Sequence, residues 1–433
     1  MNRSYPASEY SGNDQSRSTT SCPPTPATET SDFDAAVSDV SLSDILPIPS
    51  RDEYVLVTGG LGFIGSHTTV ELLKAGYNVI IVDDLSNSYR HVLDGIHEVA
   101  RLHYAAHECG QCPVVEYHNI NYRDLPAMQN VLELHSSIAP SHNGTKITDI
   151  VGVIHFAAYK TVHESICQPL KYYKNNVNGF VDLLALLEEF SIKTFIFSSS
   201  AVVYGYLGQA GRTLLETNCL QSCEQALESE DSERQPQSGC VEITNPYGRS
   251  KFFAEAILSD LVVSDPSWNI VVLRYFNPIG CDSSGLLAEN PKGESLNLLP
   301  LVTQTMTGAR KELLVFGGDW NTPDGTAMRD FIHVSDLARG HTAALSACRE
   351  GRLKGSYRTF NLGVGKGCSI LEVIRAMESV SGRKIPWQLV DRRPGDVESS
   401  IAAVGRAQEE LGWKAEKSLR DACWDICHYL NLI

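Results

Sequence analysis

Residues 245–251 read NPYGRSK, which sets Tyr247 and Lys251 four positions apart behind an Asn-Pro pair. Asn245 suits a helix N-cap and Pro246 the first helical position, so the phenol and the ammonium fall on one helix face, one turn apart. An ordinary tyrosine titrates at about pH 10 and is a poor base at neutral pH. A nearby cation stabilises the phenolate, and Lys251 supplies one positive charge. Ser200, at the end of the run TFIFSSS, could hydrogen-bond the same substrate oxygen. Such a tyrosine can take the proton of a hydroxyl group while hydride leaves the carbon that bears it. A YxxxK pair alone reads equally well as two solvated surface residues; a hydride acceptor elsewhere in the chain decides between the readings.

The stretch VLVTGGLGFIGSH points to one. Gly59, Gly62 and Gly65 follow an apolar strand pattern and open an amphipathic helix, the context in which a glycine cluster binds a dinucleotide instead of only packing. Gly59 permits the tight turn. Gly62 lets the backbone approach a pyrophosphate, with Phe63 and Ile64 offering N–H groups at the helix start, and Gly65 lets the helix pack closely. Asp83 ends the next strand, 18 residues after Gly65. A carboxylate there accepts from a ribose 2′-hydroxyl and repels a 2′-phosphate, which favours NAD over NADP. An oxidised nicotinamide would place a second positive charge beside Tyr247.

The elements that must position these groups alternate from Tyr54 onward. YVLVTGG, NVIIVDD, IVGVIHFAA, TFIFSSS and IVVLRYF are short apolar runs separated by helical patterns, and Gly76 ends the first helix. Repeated βαβ units imply an α/β fold, a doubly wound Rossmann-type parallel sheet. Residues 1–50 hold six prolines and seven acids against two arginines, too little apolar surface to offset ordering, and are expected to be a disordered extension. Residues 51–276 read as the dinucleotide domain, with an acidic surface insertion at about 217–242. Residues 277–433 read as mainly a smaller, interleaved substrate domain, from which 329–347 return to the first. The net charge of −16 speaks against a nucleic-acid partner. No run matches a membrane span and no secretory signal is apparent. The twelve cysteines lack a disulfide spacing and read as cytoplasmic thiols. The single CGQC at Cys109–Cys112 lacks a second pair, so no metal is expected, and Cys423 and Cys427 read as one face of a terminal helix.

From about Val55 to Leu430 the chain resembles the extended short-chain dehydrogenase/reductases, and within them the UDP-glucose 4-epimerases. The resemblance rests on VTGGLGFIGSH, VIHFAAYKTVHES, YYKNNVNG, FIFSSSAVVYG, NPYGRSK, LRYFNPIG, NLLPLV, GTAMRDFIHVSDLARGH, FNLGVGKG and RRPGDV. It implies that UDP-galactose and UDP-glucose interconvert through transient C4 oxidation, with NAD bound throughout, in a homodimer. It implies Ser200, Tyr247 and Lys251 as the catalytic set. Asp83, Asn87 and Ser88 would hold the adenosine ribose, with Asn119 and Ile120 near the adenine. Phe156, Ala157, Ala158, Lys160, Asn175 and Phe276 would complete the cofactor site. Asn277, Asn297 and Leu298 would contact sugar and diphosphate, and Leu314, Val315 and Phe316 uracil. Arg329 and Arg393 would grip diphosphate and uridine, and Asp396 the uridine ribose. Ser400, four after Asp396 where a large tyrosine stands in relatives restricted to UDP-glucose and UDP-galactose, implies room for N-acetylated UDP-hexosamines too.

The chain departs from the family pattern at Asp84, Asn119, His163 and Val202, none in the catalytic set. A related dehydratase or decarboxylase is the main alternative, but Ala201 and Val202 follow Ser200 and neither can transfer a proton. The intact catalytic set also speaks against a silent NAD-binding regulator.

Overall fold

A computed structural model describes residues 53–107, 110–138, 146–210, 212–228, 243–293, 297–393 and 395–433. The extension 1–50, Cys109 of the CGQC motif and residues 229–242 of the expected insertion lie outside the described residues.

Seven strands form one parallel sheet: β1 (Tyr54–Thr58), β2 (Asn78–Val82), β3 (Val115–His118), β4 (Ile150–His155), β5 (Thr194–Ser200), β6 (Asn269–Tyr275) and β7 (Tyr357–Leu362), in the spatial order 3-2-1-4-5-6-7. Its central strands read as unbroken apolar runs because both faces are covered. Val55, Val57, Val79 and Ile81 face the side covered by helix α1 (Phe63–Lys74) and the long Val334–Arg349 helix. Leu56, Ile80 and Val153 face the other, against Phe180, Leu183 and Leu258. The order reverses between β1 and β4, so a crevice opens beyond their C-terminal ends, the place where such sheets bind ligands.

A smaller lobe is built on the parallel strands Asn277–Ile279, Met328–His333, Ser399–Ala402 and Thr213–Leu214, with Leu313–Phe316 and Trp387–Val390 as a separate parallel pair. Its core gathers Val302, Val315, Ile374, Met377 and Cys427. Cys423 and Cys427 are both buried on the final helix, Leu419–Tyr429.

Two features differ from the sequence reading. The chain re-enters the large sheet beyond 329–347, since β7 forms its edge and Ala407, Leu411 and Trp413 join its core. The first part of the 217–242 stretch is not a surface insertion: Cys219, Leu220, Gln221 and Glu224 are buried. Charge compensation explains it. Glu224 Oε1 accepts from Arg406 at 2.9 Å, Arg358 at 3.3 Å and the Thr359 N–H at 2.9 Å. Glu216, just before it, accepts from the Asn361 N–H at 2.8 Å. Acids that look solvated in sequence are here the buried partners of β7.

The helix that carries Tyr247 and Lys251, α2 (Pro246–Ser264), is tied to the sheet by a second buried charge. Glu255 receives a bidentate bond from Arg274 of β6, at 3.0 and 2.6 Å, and both side chains are fully buried. Replacing Arg274 by Met would strand the Glu255 charge. Such losses cost about 3–5 kcal/mol. Denaturant unfolding of Arg274→Met should show a loss of this order; a loss below about 1 kcal/mol would remove the pair from its structural role.

Candidate active site

Helix α2 starts as its sequence requires. Asn245 Oδ1 accepts from the Gly248 N–H at 2.8 Å, and Pro246 fills the first turn. Positions 247, 251 and 255 share the buried face, and all three side chains are buried. Strand β5 ends at Ser200, whose hydroxyl is close enough to the Tyr247 phenol to favour its ionised form. Lys251 Nζ donates to the Ser198 carbonyl at 2.5 Å and lies 4.7 Å from the centre of the Phe197 ring. The catalytic set expected from sequence is therefore brought together.

Its electrostatics differ from the expectation that Lys251 lowers the phenol pKa. Burial pushes Tyr247 up to about 12, with only the Ser200 hydrogen bond opposing. Burial pulls Lys251 down to about 7, opposed by the Glu255 carboxylate one turn on. The protein alone holds both groups towards their neutral forms, because burial disfavours the charged form of each. Glu255 was missed by the sequence reading. Its signal was the i+4 repeat 247, 251, 255 on one face, where a third polar group needs a buried partner.

The crevice at the end of β1 fits a dinucleotide. Gly59 has φ +73°, and a Cβ there would lie 2.9 Å from Ala157 N, at the end of β4. A Cβ on Gly65 would lie 2.2 Å from Gly59 O, so the helix start touches the turn directly. Gly62 caps α1, whose first N–H groups, on Phe63 and Ile64, have no carbonyl one turn earlier to bond. Asp83 is preset: one oxygen accepts from Leu61 N–H at 3.0 Å, the other from Leu85 N–H at 2.9 Å and Ser88 Oγ at 2.7 Å. Ser88 thus orients Asp83. Asn87 Oδ1 accepts from the Lys292 N–H at 3.1 Å. Asp84 is exposed and takes a bond from Asn121 Nδ2 at 2.6 Å. Asn119 is exposed, whereas Ile120 packs on the core.

Phe156 and Ala157 follow β4 at the crevice, with the Phe156 ring 4.8 Å from that of His341, and Ala158 is half-buried beside them. Lys160 reaches Glu289 at 3.5 Å. Asn175 is buried in a π-helical turn, Lys174–Asn178, and donates to Asn176 Oδ1 at 2.9 Å. Phe276 is buried and packs with Val203, Tyr204 and Ala402.

The smaller lobe assembles the expected nucleotide-sugar residues at its edge. Arg393 donates to Asp396 at 3.1 Å, and its guanidinium lies 4.5 Å from the centre of the Phe316 ring. Arg329 is within electrostatic reach of Asp396 and Arg393, and it pairs in register with Ser400 on the next strand. Leu314 and Phe316 are half-buried on one side of their strand. Val315 points the other way into the lobe's core, so its side chain is not a ligand contact. Ser399 is buried whereas Ser400 is half-exposed, as strand alternation requires. Asn277 donates to the Asp330 carbonyl at 3.0 Å. Asn297 caps the Leu298–Met306 helix and donates to Glu289 at 2.6 Å, and Leu298 packs on the lobe's core.

The model of the NAD dependent epimerase/dehydratase family matches residues 55–363. The chain is 41% identical to the UDP-glucose 4-epimerase of Dictyostelium discoideum, covering 88% of this chain and 96% of that protein. It is 42% identical to the UDP-glucose 4-epimerase of Mus musculus, covering 86% and 95%. Among solved structures, the UDP-glucose 4-epimerase of Bifidobacterium longum in complex with NAD+ and UDP superposes with a TM-score of 0.71 at 39% identity, covering 87% of this chain and 98% of that one. The sheet order, the glycine turn and these similarities agree: the chain belongs to the NAD dependent epimerase/dehydratase family.

Proposed function

We propose that the protein interconverts UDP-galactose and UDP-glucose by transient oxidation at C4 of the sugar. The observation that carries the reading is the meeting of Ser200, Tyr247 and Lys251 beyond the sheet's C-terminal edge, on the side of the glycine turn at Gly59–Gly65. The relatives named as UDP-glucose 4-epimerases support the substrate.

When bound, NAD supplies the hydride acceptor and then the donor. Gly59, Gly62, Gly65 and the N–H groups of Phe63 and Ile64 would seat its diphosphate, and Asp83 its ribose. Ser200 and Tyr247 hold the oxygen on C4; Tyr247 takes its proton as the carbonyl forms and gives it back as the carbonyl is reduced. Lys251 is anchored on the Ser198 carbonyl one turn from the phenol, where its protonated form would favour the phenolate. In the smaller lobe, Arg329 and Arg393 offer planar donors to the diphosphate and uridine, and Asp396, already oriented by Arg393, accepts from the ribose. The 4-keto sugar then turns over in the site and is reduced on its other face. Elimination is disfavoured, because Ala201 and Val202 offer no acid next to Ser200.

We place the enzyme in the cytoplasm as a homodimer. The nine described cysteines are free thiols, and no helix among the described residues is long and apolar enough to cross a membrane. The helices Val162–Cys167 and Pro169–Tyr173 pack on α2 and expose Ile166 and Leu170, with Phe253 of α2 exposed near Tyr173. A second copy covering this face accounts for apolar side chains that a monomer would leave in water. Sedimentation should give a dimer for the wild type and a monomer for Leu170→Glu; a monomeric wild type contradicts the assembly.

A coupled assay of UDP-galactose conversion to UDP-glucose tests the activity. The wild type should turn over, and Tyr247→Phe should lose about 10²–10⁴-fold with NAD still bound. Retention of more than about a tenth of the rate would dismiss Tyr247 as the acid–base group. By the family resemblance Ser400, half-exposed and in register with Arg329, would leave space beside the sugar's C2 substituent. The wild type should therefore also epimerise UDP-N-acetylglucosamine, and Ser400→Tyr should suppress that activity while sparing UDP-galactose. Overpacking a tight site costs about 1–3 kcal/mol, so a loss near tenfold or more is expected; an unchanged N-acetyl rate in Ser400→Tyr would show that another residue bounds the pocket.

A further inference from the structure

One short segment joins the two halves of the proposed site. Glu289 Oε1 accepts from Asn297 Nδ2 at 2.6 Å and from Lys160 Nζ at 3.5 Å, and its side chain is only 10% exposed. Lys160 follows β4 on the cofactor side, whereas Asn297 begins a helix of the smaller lobe. Three residues on, Lys292 donates its backbone N–H to Asn87 Oδ1 at 3.1 Å and its Nζ to the Leu85 carbonyl at 2.5 Å. Its ammonium also lies 5.1 Å from the centre of the Tyr89 ring. A single carboxylate thus holds one donor from each lobe, and the lysine beside it holds the loop that follows Asp83.

Leu85 shows why that loop needs holding. Its φ is +57°, in the left-handed region that a leucine adopts only at a cost. Both of its backbone groups are engaged: its N–H donates to Asp83 Oδ1 at 2.9 Å, and its carbonyl accepts from Lys292. The strained turn that presents Asp83 is therefore fixed partly from within and partly by residue 292. A Lys–Glu pair at 3.5 Å whose ammonium is exposed to water, as that of Lys160 is, contributes little stability by itself. Here the pair lies between two groups that each face a different ligand, so its effect falls on how one ligand's occupancy is felt at the other.

We propose that Glu289 and Lys292 are positioning residues that couple nucleotide-sugar binding to retention of the dinucleotide. The inference rests on the reading of the site as one for NAD and a UDP-sugar. A uridine diphosphate engaging Asn297 and the helix start orders Glu289, which sets Lys160, while the same segment presses Lys292 onto Leu85 and Asn87. The dinucleotide side then opens less readily. Linkage makes the effect reciprocal, and coupling between two sites is typically about 5–150-fold.

The test uses the full-length protein loaded with NAD, with UDP as the probe. The loss of bound NAD into NAD-free buffer is followed with and without saturating UDP. In the wild type UDP should slow the loss by about fivefold or more. In Glu289→Gln and in Lys292→Met the UDP effect should fall below about twofold, while the protein keeps its melting temperature and its content of NAD at the start. Glu289→Gln is close in shape and Lys292→Met keeps the stem, so the two variants check each other for misfolding. A UDP effect that survives both substitutions, or that is absent from a wild type that epimerises UDP-galactose, overturns the coupling. A wild type without epimerase activity contradicts the underlying reading instead, and the inference falls with it.

Discussion

The buried pairing of Glu255 with Arg274 is the constraint on which the rest of the site depends. Tyr247, Lys251 and Glu255 occupy successive turns of one helix face, and that face must be buried to keep water from the reacting carbon. A carboxylate in such a place is costly unless it is paired and hydrogen-bonded. Arg274 meets it bidentately from the neighbouring strand and spends its other donors on the Tyr204 hydroxyl and the Cys219 carbonyl. Ser199 donates to the same carboxylate, so the strand end that carries Ser200 is fixed to the helix that carries Tyr247. One ionic cluster therefore sets the distance between the hydroxyl and the phenol.

Burial has a consequence for the chemistry. It raises the phenol to about 12 and lowers the ammonium to about 7, so the folded chain does not by itself hold an activated base. Positive charge arriving with an oxidised cofactor would act on a phenol that has little other solvation. The low dielectric that disfavours the phenolate in its absence also strengthens its response to such a charge. Proton transfer by Tyr247 would thereby be tied to the loaded state.

Much of this was legible in the sequence, because the signals are local. The glycine turn, the Asn-Pro helix start and five apolar strands each follow from a few adjacent residues, and the structure shows them at Gly59–Gly65, Asn245–Tyr247 and β1, β2, β4, β5 and β6, whereas the edge strands β3 and β7, with their polar residues, were not read as strands. What was not legible depends on partners far along the chain. Glu224 reads as part of a solvated acidic stretch until Arg358 of β7 and Arg406 of the helix Gly405–Leu411 are brought to it. Val315 sits in a run matched to uracil binding, yet strand alternation turns it into the core. Glu289 carries no motif at all, and only the approach of Lys160 and Asn297 marks it.

The central claim is that hydride leaves C4 and returns to C4 without meeting solvent, within a site closed by this packing. The most direct measurement is conversion of UDP-galactose deuterated at C4, with the UDP-glucose product analysed by mass spectrometry and NMR. The account predicts that the deuterium stays on C4 of the product, in ordinary water and over many turnovers. Loss of the label to solvent would mean that C4 is inverted by removing and replacing a proton, and would contradict it.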